Sequence, residues 1–244
     1  MKLYGKNSVL ERLKTNPRSI RKIFLEPTAP DGSYIRKKAK KWGIPIIGVQ
    51  RSNMLKLARN ANTQGILADI DDFSYVLLDD LLDQVRTQGL SLIFLDNITD
   101  PQNLGAIIRS LACLGDFAIV LPTHRSVEVT ESVLRVASGG DNFISVAKVS
   151  NLSNAIKSAR DAGLWVVGAV AEGGTDLMEA NFAFPLGLVM GSEQKGIRDV
   201  VRKHLDGEIT IPMAQPRLSF NVAQATTVIC YEIAKQKKAA GAKK

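Results

Sequence analysis

The sequence predicts an α/β protein, a mostly parallel sheet covered by helices and preceded by a small α/β module of its own. Two observations carry this. From Ser91 onward, six short apolar runs alternate with stretches of helical periodicity, and strand–helix alternation builds a parallel sheet buried on both faces. Charge also changes along the chain. Residues 1–60 hold 15 Lys and Arg against 3 Asp and Glu, a net +12, whereas residues 61–234 are at −9 and the last ten residues add +5. So lopsided a front fits a polyanion partner better than it fits solubility alone.

The front module runs over residues 1–70. LYGKNSVLERLK (3–14) predicts a helix with Val9, Leu10 and Leu13 on one face. KIFLEP (22–27) is a strand stopped by Pro27, and SYIRKKAKKWG (33–43) a basic helix ended by Gly43. Strand 44–49, helix 51–60 and strand 62–70 close the unit. Residues 71–88 turn acidic and predict a linker with one helix over 77–88.

The second domain spans 89–236. Strands are expected at 91–97, 118–122, 143–149, 165–170, 186–191 and 208–213. Helices are expected at 103–115, 129–140, 151–163, 193–205 and after Ser219, with the basic tail 237–244 unstructured. Ser219 is the N-cap candidate for the last helix, because a serine oxygen accepts free N–H groups of a first turn.

Several classes drop out. The apolar fraction is 45%, and no apolar run approaches the roughly 18 residues of a membrane span. The N-terminus lacks a continuous signal-peptide core, so a cytoplasmic protein is the expectation. Cys113 and Cys230 sit in apolar helical patterns and are expected to be buried thiols; with only two His, no zinc or other metal site is indicated. There is neither a GxGxxG nor a GxxxxGK[ST] loop, which removes motif support for nicotinamide or ATP.

Three stretches repeat one pattern of strand, polar or glycine-bearing turn, and helix: DNITDPQNLGAIIRS (96–110), LGLVMGSEQKGI (186–197) and GEITIPMAQPRLSFNVAQATTVICYE (207–232), whose loop holds Pro212, Pro216 and Arg217. Turns at the carboxyl ends of parallel strands are where open sheets place ligands, so the three are expected to form one site. Taken alone, Arg109 reads as a surface arginine, Asn103 as an N-cap, Glu193 as a first-turn acid favoured by the helix dipole, and Ile211 and Phe220 as core.

Together these motifs resemble those of the SpoU/TrmH family of RNA ribose 2′-O-methyltransferases, in the SPOUT superfamily. TDPQNLGAIIR is similar to its first motif, VMGSEQKGI to its second and IPMAQPRLSFNVA to its third, over about residues 91–235. The front module resembles the substrate-recognition domain of many members. The resemblance implies a C-terminal trefoil knot, a homodimer paired through the knotted region, an S-adenosylmethionine cofactor and an RNA substrate, either rRNA or tRNA. It implies a catalytic set of Arg109, Asn103, Glu193, Ser219 and Asn221, and a cofactor site at Gly191, Ile211, Phe220, Met213 and Gly168, which borders an adenine slot. A guanidinium does not readily lose its proton, so Arg109 is better placed to fork onto the target phosphate than to act as a base. Gln194, Phe220 and Ala223 depart from the common family motifs, and Thr63 stands where relatives often have His. Two other readings stay open: a non-catalytic RNA-binding or ribosome-assembly protein on this fold, and a SPOUT base methyltransferase.

Overall fold

The computed structural model describes residues 1–59, 61–193, 195–215 and 217–241. Asn60, at the end of the third expected front helix, the motif residues Gln194 and Pro216, and tail residues 242–244 lie outside them. In chain order the elements are β1 (Lys2–Tyr4), α1 (Lys6–Thr15), β2 (Ile20–Leu25), α2 (Gly32–Lys41), β3 (Ile46–Gly48), α3 (Arg51–Leu57), β4 (Ile66–Ile70), α4 (Leu78–Gln88) and β5 (Ser91–Leu95). There follow α5 (Pro101–Leu114), β6 (Phe117–Pro122), α6 (Glu131–Ala137), β7 (Val146–Val149), α7 (Leu152–Asp161), β8 (Trp165–Ala169) and β9 (Thr175–Asp176). The chain continues through β10 (Leu186–Met190), α8 (Asp199–Arg202), β11 (Gly207–Thr210) and α9 (Val222–Gly241).

Two compact units form. One comprises Met1–Ser74 with Glu128–Phe143, the other Tyr75–Val127 with Ile144–Lys244. The first holds a four-stranded sheet of order β1-β4-β2-β3, in which β4 runs antiparallel to both β1 and β2. β1 is absent from the sequence reading, which placed residues 3–5 in a helix; Gly5, at φ 96°, divides strand from helix there. Segment 128–143 is fastened into this unit by polar contacts. The backbone N–H of Lys2 donates to Glu131 Oε1 at 2.6 Å, and the Arg12 guanidinium pairs with Asp141, both side chains buried. Burial raises the Asp141 pKa more than neighbouring Arg12 lowers it.

The second unit is a seven-stranded sheet of order β7-β6-β5-β10-β8-β11-β9, every pair parallel. Leu92, Phe94, Val120, Val166 and Val189 pack with Leu81 and Val85 of α4 and with Ile156 and Ala159 of α7. Strand alternation sends the equally buried Ile93, Leu95, Ile119 and Leu121 to the opposite face, where α5 packs on β6 and α9 packs on α5. Burial on both faces explains why these strands read as unbroken apolar runs.

Four expectations need correction. The helix expected over 193–205 shrinks to the four residues of α8. Ser192 and Gly196 are bridged backbone to backbone, which closes a tight loop, with Gly196 at φ 63° and Arg198 extended. The helix expected over 129–140 stops at Ala137, where Ser138 and Gly139 take positive φ. The tail is helical through Gly241, with Lys237 paired to Asp116 at 3.0 Å. Of the two cysteines only Cys230 is buried, and burial pushes its thiol pKa up; Cys113 is exposed. Among the described residues, no helix is long and apolar enough to cross a membrane.

Candidate functional site

Because all strands of the second sheet run the same way, their following loops share one rim. Asp96 follows β5, Val170 follows β8, Gly191 follows β10 and Ile211 follows β11. On this rim lies a cleft of about 410 Å³, walled by Ala169–Ala171, Ile209, Val222, Ala225 and Ile229 and edged by Ser192, Glu193 and Lys195. Of the expected cofactor residues, Gly191, Ile211, Met213 and Phe220 line it, and so do Glu193 and Ser219 of the expected catalytic set. Gly191 has no room for a side chain: a Cβ there would collide with the backbone of Gly196 and Ile197, where the loop folds back.

Three side chains from the three motifs meet at this cleft. Asn103 Nδ2 donates to Glu193 Oε1 at 2.9 Å, and Asn221 Nδ2 donates to Asn103 Oδ1 at 3.3 Å. Local chemistry frees these groups. Asp100, not Asn103, caps α5 by accepting from the Gln102 N–H at 2.8 Å, with Pro101 filling the first helical position. Asn103 is thereby left buried inside the first turn with both amide atoms directed outward from the helix.

Asn221, not Ser219, caps α9. Its Oδ1 accepts from the Gln224 N–H at 2.9 Å while Gln224 Oε1 accepts from the Asn221 N–H at 3.2 Å, a reciprocal capping box. The cap uses the oxygen of Asn221 and leaves its amide nitrogen for Asn103. Ser219 is exposed on the loop two residues earlier. Glu193 lies in the tight loop rather than a first helical turn, so the dipole reading of it falls away.

Two expected residues stand outside the cluster. Arg109 lies on the exposed face of α5, six residues past Asn103, and among the described residues it makes no ion pair or hydrogen bond. Gly168 does not line the cleft; a Cβ there would collide with Leu205 and Ile197, so its smallness serves packing under β8. Thr63 is buried in the front unit, where its Oγ1 accepts from the Gly65 N–H at 3.2 Å.

The sequence reading missed Asp96. Its carboxylate is fully buried and takes two hydrogen bonds from Arg198, the backbone N–H at 3.0 Å and Nε at 2.8 Å, with Nη2 ion-paired to it at 2.7 Å. This fork pins the second-motif loop to the end of β5. An acid ending a five-residue apolar strand was the available sign. The hydroxyls of Thr227 and Ser110 also share a hydrogen bond at 2.8 Å, joining α9 to α5 beside Arg109.

Comparison with known proteins finds relatives for both parts of the chain. Residues 91–231 match the SpoU rRNA Methylase family, and residues 2–76 match the family described as RNA 2′-O ribose methyltransferase substrate binding. A tRNA/rRNA methyltransferase of Synechocystis is 37% identical over 240 residues, 96% of this chain and 62% of the relative. The chain likewise spans 62–64% of the length of that relative and of two mycobacterial ones. The 23S rRNA (guanosine-2′-O-)-methyltransferase RlmB of Ralstonia nicotianae is 34% identical over 244 residues, 99% of this chain and 98% of the relative. The AdoMet-bound rRNA methyltransferase from Sinorhizobium meliloti superposes with a TM-score of 0.79 at 25% identity, covering 97% of this chain and 87% of that one. With motifs, sheet order and family match in accord, the chain belongs to the SpoU rRNA methylase family.

Proposed function

We propose that this protein transfers a methyl group from S-adenosylmethionine to a ribose 2′-hydroxyl of structured rRNA or tRNA. The observation that carries the reading is the Asn221–Asn103–Glu193 chain of hydrogen bonds, which ties all three motifs to the edge of one apolar cleft. The cleft suits the donor. Its volume falls within the roughly 300–1,000 Å³ of small-molecule sites, its inner walls are aliphatic for an adenine, and its mouth is polar. When bound, S-adenosylmethionine supplies a methyl on a sulfonium, open to in-line attack by an oxygen.

The residues then divide the work. Gly191, Ile211, Met213 and Phe220 seat the donor against the sheet rim. Asn103 and Asn221 fix Glu193 and with it the cleft edge where the ribose must lie; positioning of this kind is worth several kcal/mol of barrier. Ser219, on the loop above, contacts donor or sugar. Among the described residues Arg109 has no ion-pair or hydrogen-bond partner, which leaves its guanidinium to fork onto the phosphate beside the target hydroxyl and make that hydroxyl a better acid.

RNA affinity comes first from the front unit. Arg36, Lys37, Lys40 and Lys41 are exposed on α2, beside the exposed rings of Tyr34 and Trp42. A homodimer belongs to the same reading: Val228 and Tyr231 of α9 and Leu218 before it are 38%, 62% and 68% exposed, an apolar face suited to a second copy. So does the trefoil knot that the resemblance of the three motifs implies.

Methyl-labelled S-adenosylmethionine and unmodified total RNA test the proposal. The expected product is label in a dinucleotide that survives alkali, because a ribose methyl protects the adjoining phosphodiester. Label on a base, or RNA binding with no transfer, would replace this reading with one of the two alternatives.

A further inference from the structure

We propose that a second, cationic pocket on the methyltransferase unit binds a backbone phosphate of the RNA substrate. It lies beyond the carboxyl ends of β6 and β7, on the same rim as the methyl-transfer cleft but on the other side of β5, and has a volume of about 560 Å³. His124, Arg125, Arg198, Lys203 and His204 line it, and no carboxylate does. None of these residues belongs to the catalytic or donor set above. The inference rests on the reading of the substrate as RNA.

The charges are arranged for an external anion. Arg198 is already taken up by Asp96, which holds it in place as a wall. Arg125 and Lys203 are exposed, and among the described residues neither makes an ion pair or a side-chain hydrogen bond. Two unpaired cations facing one pocket repel each other unless an anion lies between them. The surrounding residues 61–234 carry a net −9, so the concentration of positive charge here is local rather than a sample of a basic surface.

The pocket is also built stiffly. Arg125 takes φ 56°, a left-handed conformation uncommon for a residue with a side chain, in the turn that follows β6. Ser153 Oγ donates to the Val200 carbonyl at 3.0 Å, joining the start of α7 to the segment bearing Lys203 and His204. The His204 pKa is lowered, by burial first and then by Lys157, Arg160 and Lys203.

The size favours a strand over a lone ion. A pocket of this volume exceeds one phosphate group and admits a nucleotide, and the two cations that line it, Arg125 and Lys203, are exposed. A phosphodiester and inorganic phosphate share the same recognition chemistry, so the experiment separates them.

RNA binding is measured by filter retention of unmodified ribosomal RNA without the methyl donor, for wild type, the Arg125→Ala/Lys203→Ala double variant and an Arg86→Ala/Lys235→Ala control with the same loss of charge. The double variant is expected to bind roughly tenfold more weakly near 0.1 M salt, with the slope of log K against log salt reduced by about 1, while the control stays within about twofold of wild type. S-adenosylhomocysteine affinity should be equal in all three, which checks that the unit is folded. Equal RNA affinity in double variant and control overturns the proposal. A parallel titration with inorganic phosphate, followed by the His204 ring resonances, covers the other source: saturation below about 0.1 mM with RNA binding unmoved by the double substitution would assign the pocket to a free anion instead. Absence of methyl transfer would refute the proposed activity yet leave this binding result readable.

Discussion

Helix α2 of the front unit and the motif cluster of the second unit handle polar groups in opposite ways. On α2 the cations Arg36, Lys37, Lys40 and Lys41 are exposed and, among the described residues, unpaired, while Lys38 and Lys41 rest over the rings of Tyr34 and Trp42 at 5.6 and 6.0 Å. Among the described residues, no ion pair fixes where these charges point. At the cleft, Asn103 is 8% exposed, and each amide atom of Asn103 and Asn221 has a named partner. Charge attraction to a polyanion falls off slowly and sums over many groups, so it tolerates loose side chains. Methyl transfer demands a fixed line between donor and acceptor atoms, so it does not. Substitutions should therefore divide the same way: single changes at the cleft are severe, whereas changes on α2 act in proportion to charge.

Arg109→Ala provides the largest expected effect. It should lower single-turnover methyl transfer by at least about 10²–10³-fold, while S-adenosylhomocysteine affinity measured by calorimetry stays near wild type. Equal loss of both would mean that Arg109 supports the cleft rather than the target. Next, Lys37→Glu/Lys38→Glu/Lys41→Glu should weaken RNA binding by roughly 10–100-fold at low salt and flatten its salt dependence, again without touching the cofactor. Should RNA affinity hold, the basic front is a solvated surface and the comparison fails on that side.

Smaller effects sharpen the account of Asn221. Asn221→Asp retains the oxygen that caps α9 but loses the amide that donates to Asn103. Its melting temperature should be nearly unchanged while transfer drops. Asn221→Ala loses both and should cost about 1 kcal/mol of stability as well, the usual worth of an N-cap. If both variants melt together below wild type and still transfer methyl, Asn221 is a cap and nothing more.

The elements with a strong period were legible from sequence alone. Buried apolar runs in β5, β6, β8 and β10 stand out because both of their faces are covered, and α5 and α7 carry apolar stripes. The segment after Gly191 misled because Glu193 to Leu205 has helical composition, while the turn there is set by backbone constraints at Gly191 and Gly196 that no residue period reports. Ser219 was preferred to Asn221 as a cap on residue type; the choice between them depends on Gln224, three residues beyond Asn221. The convergence of Asn103, Glu193 and Asn221 followed from strand order, and the resemblance of the motifs supplied it. The Asp96–Arg198 fork, by contrast, links positions 102 residues apart and leaves no mark on local patterning.

Asn103 accepts from one motif and donates to another, so Asn103→Ala tests the central claim most directly. The measurement is single-turnover transfer of labelled methyl to RNA, with donor affinity determined alongside. The account predicts transfer reduced by about 10²-fold or more with donor affinity within a few-fold of wild type, because the cleft walls are intact while its catalytic edge is no longer held. Transfer at the wild-type rate would contradict it.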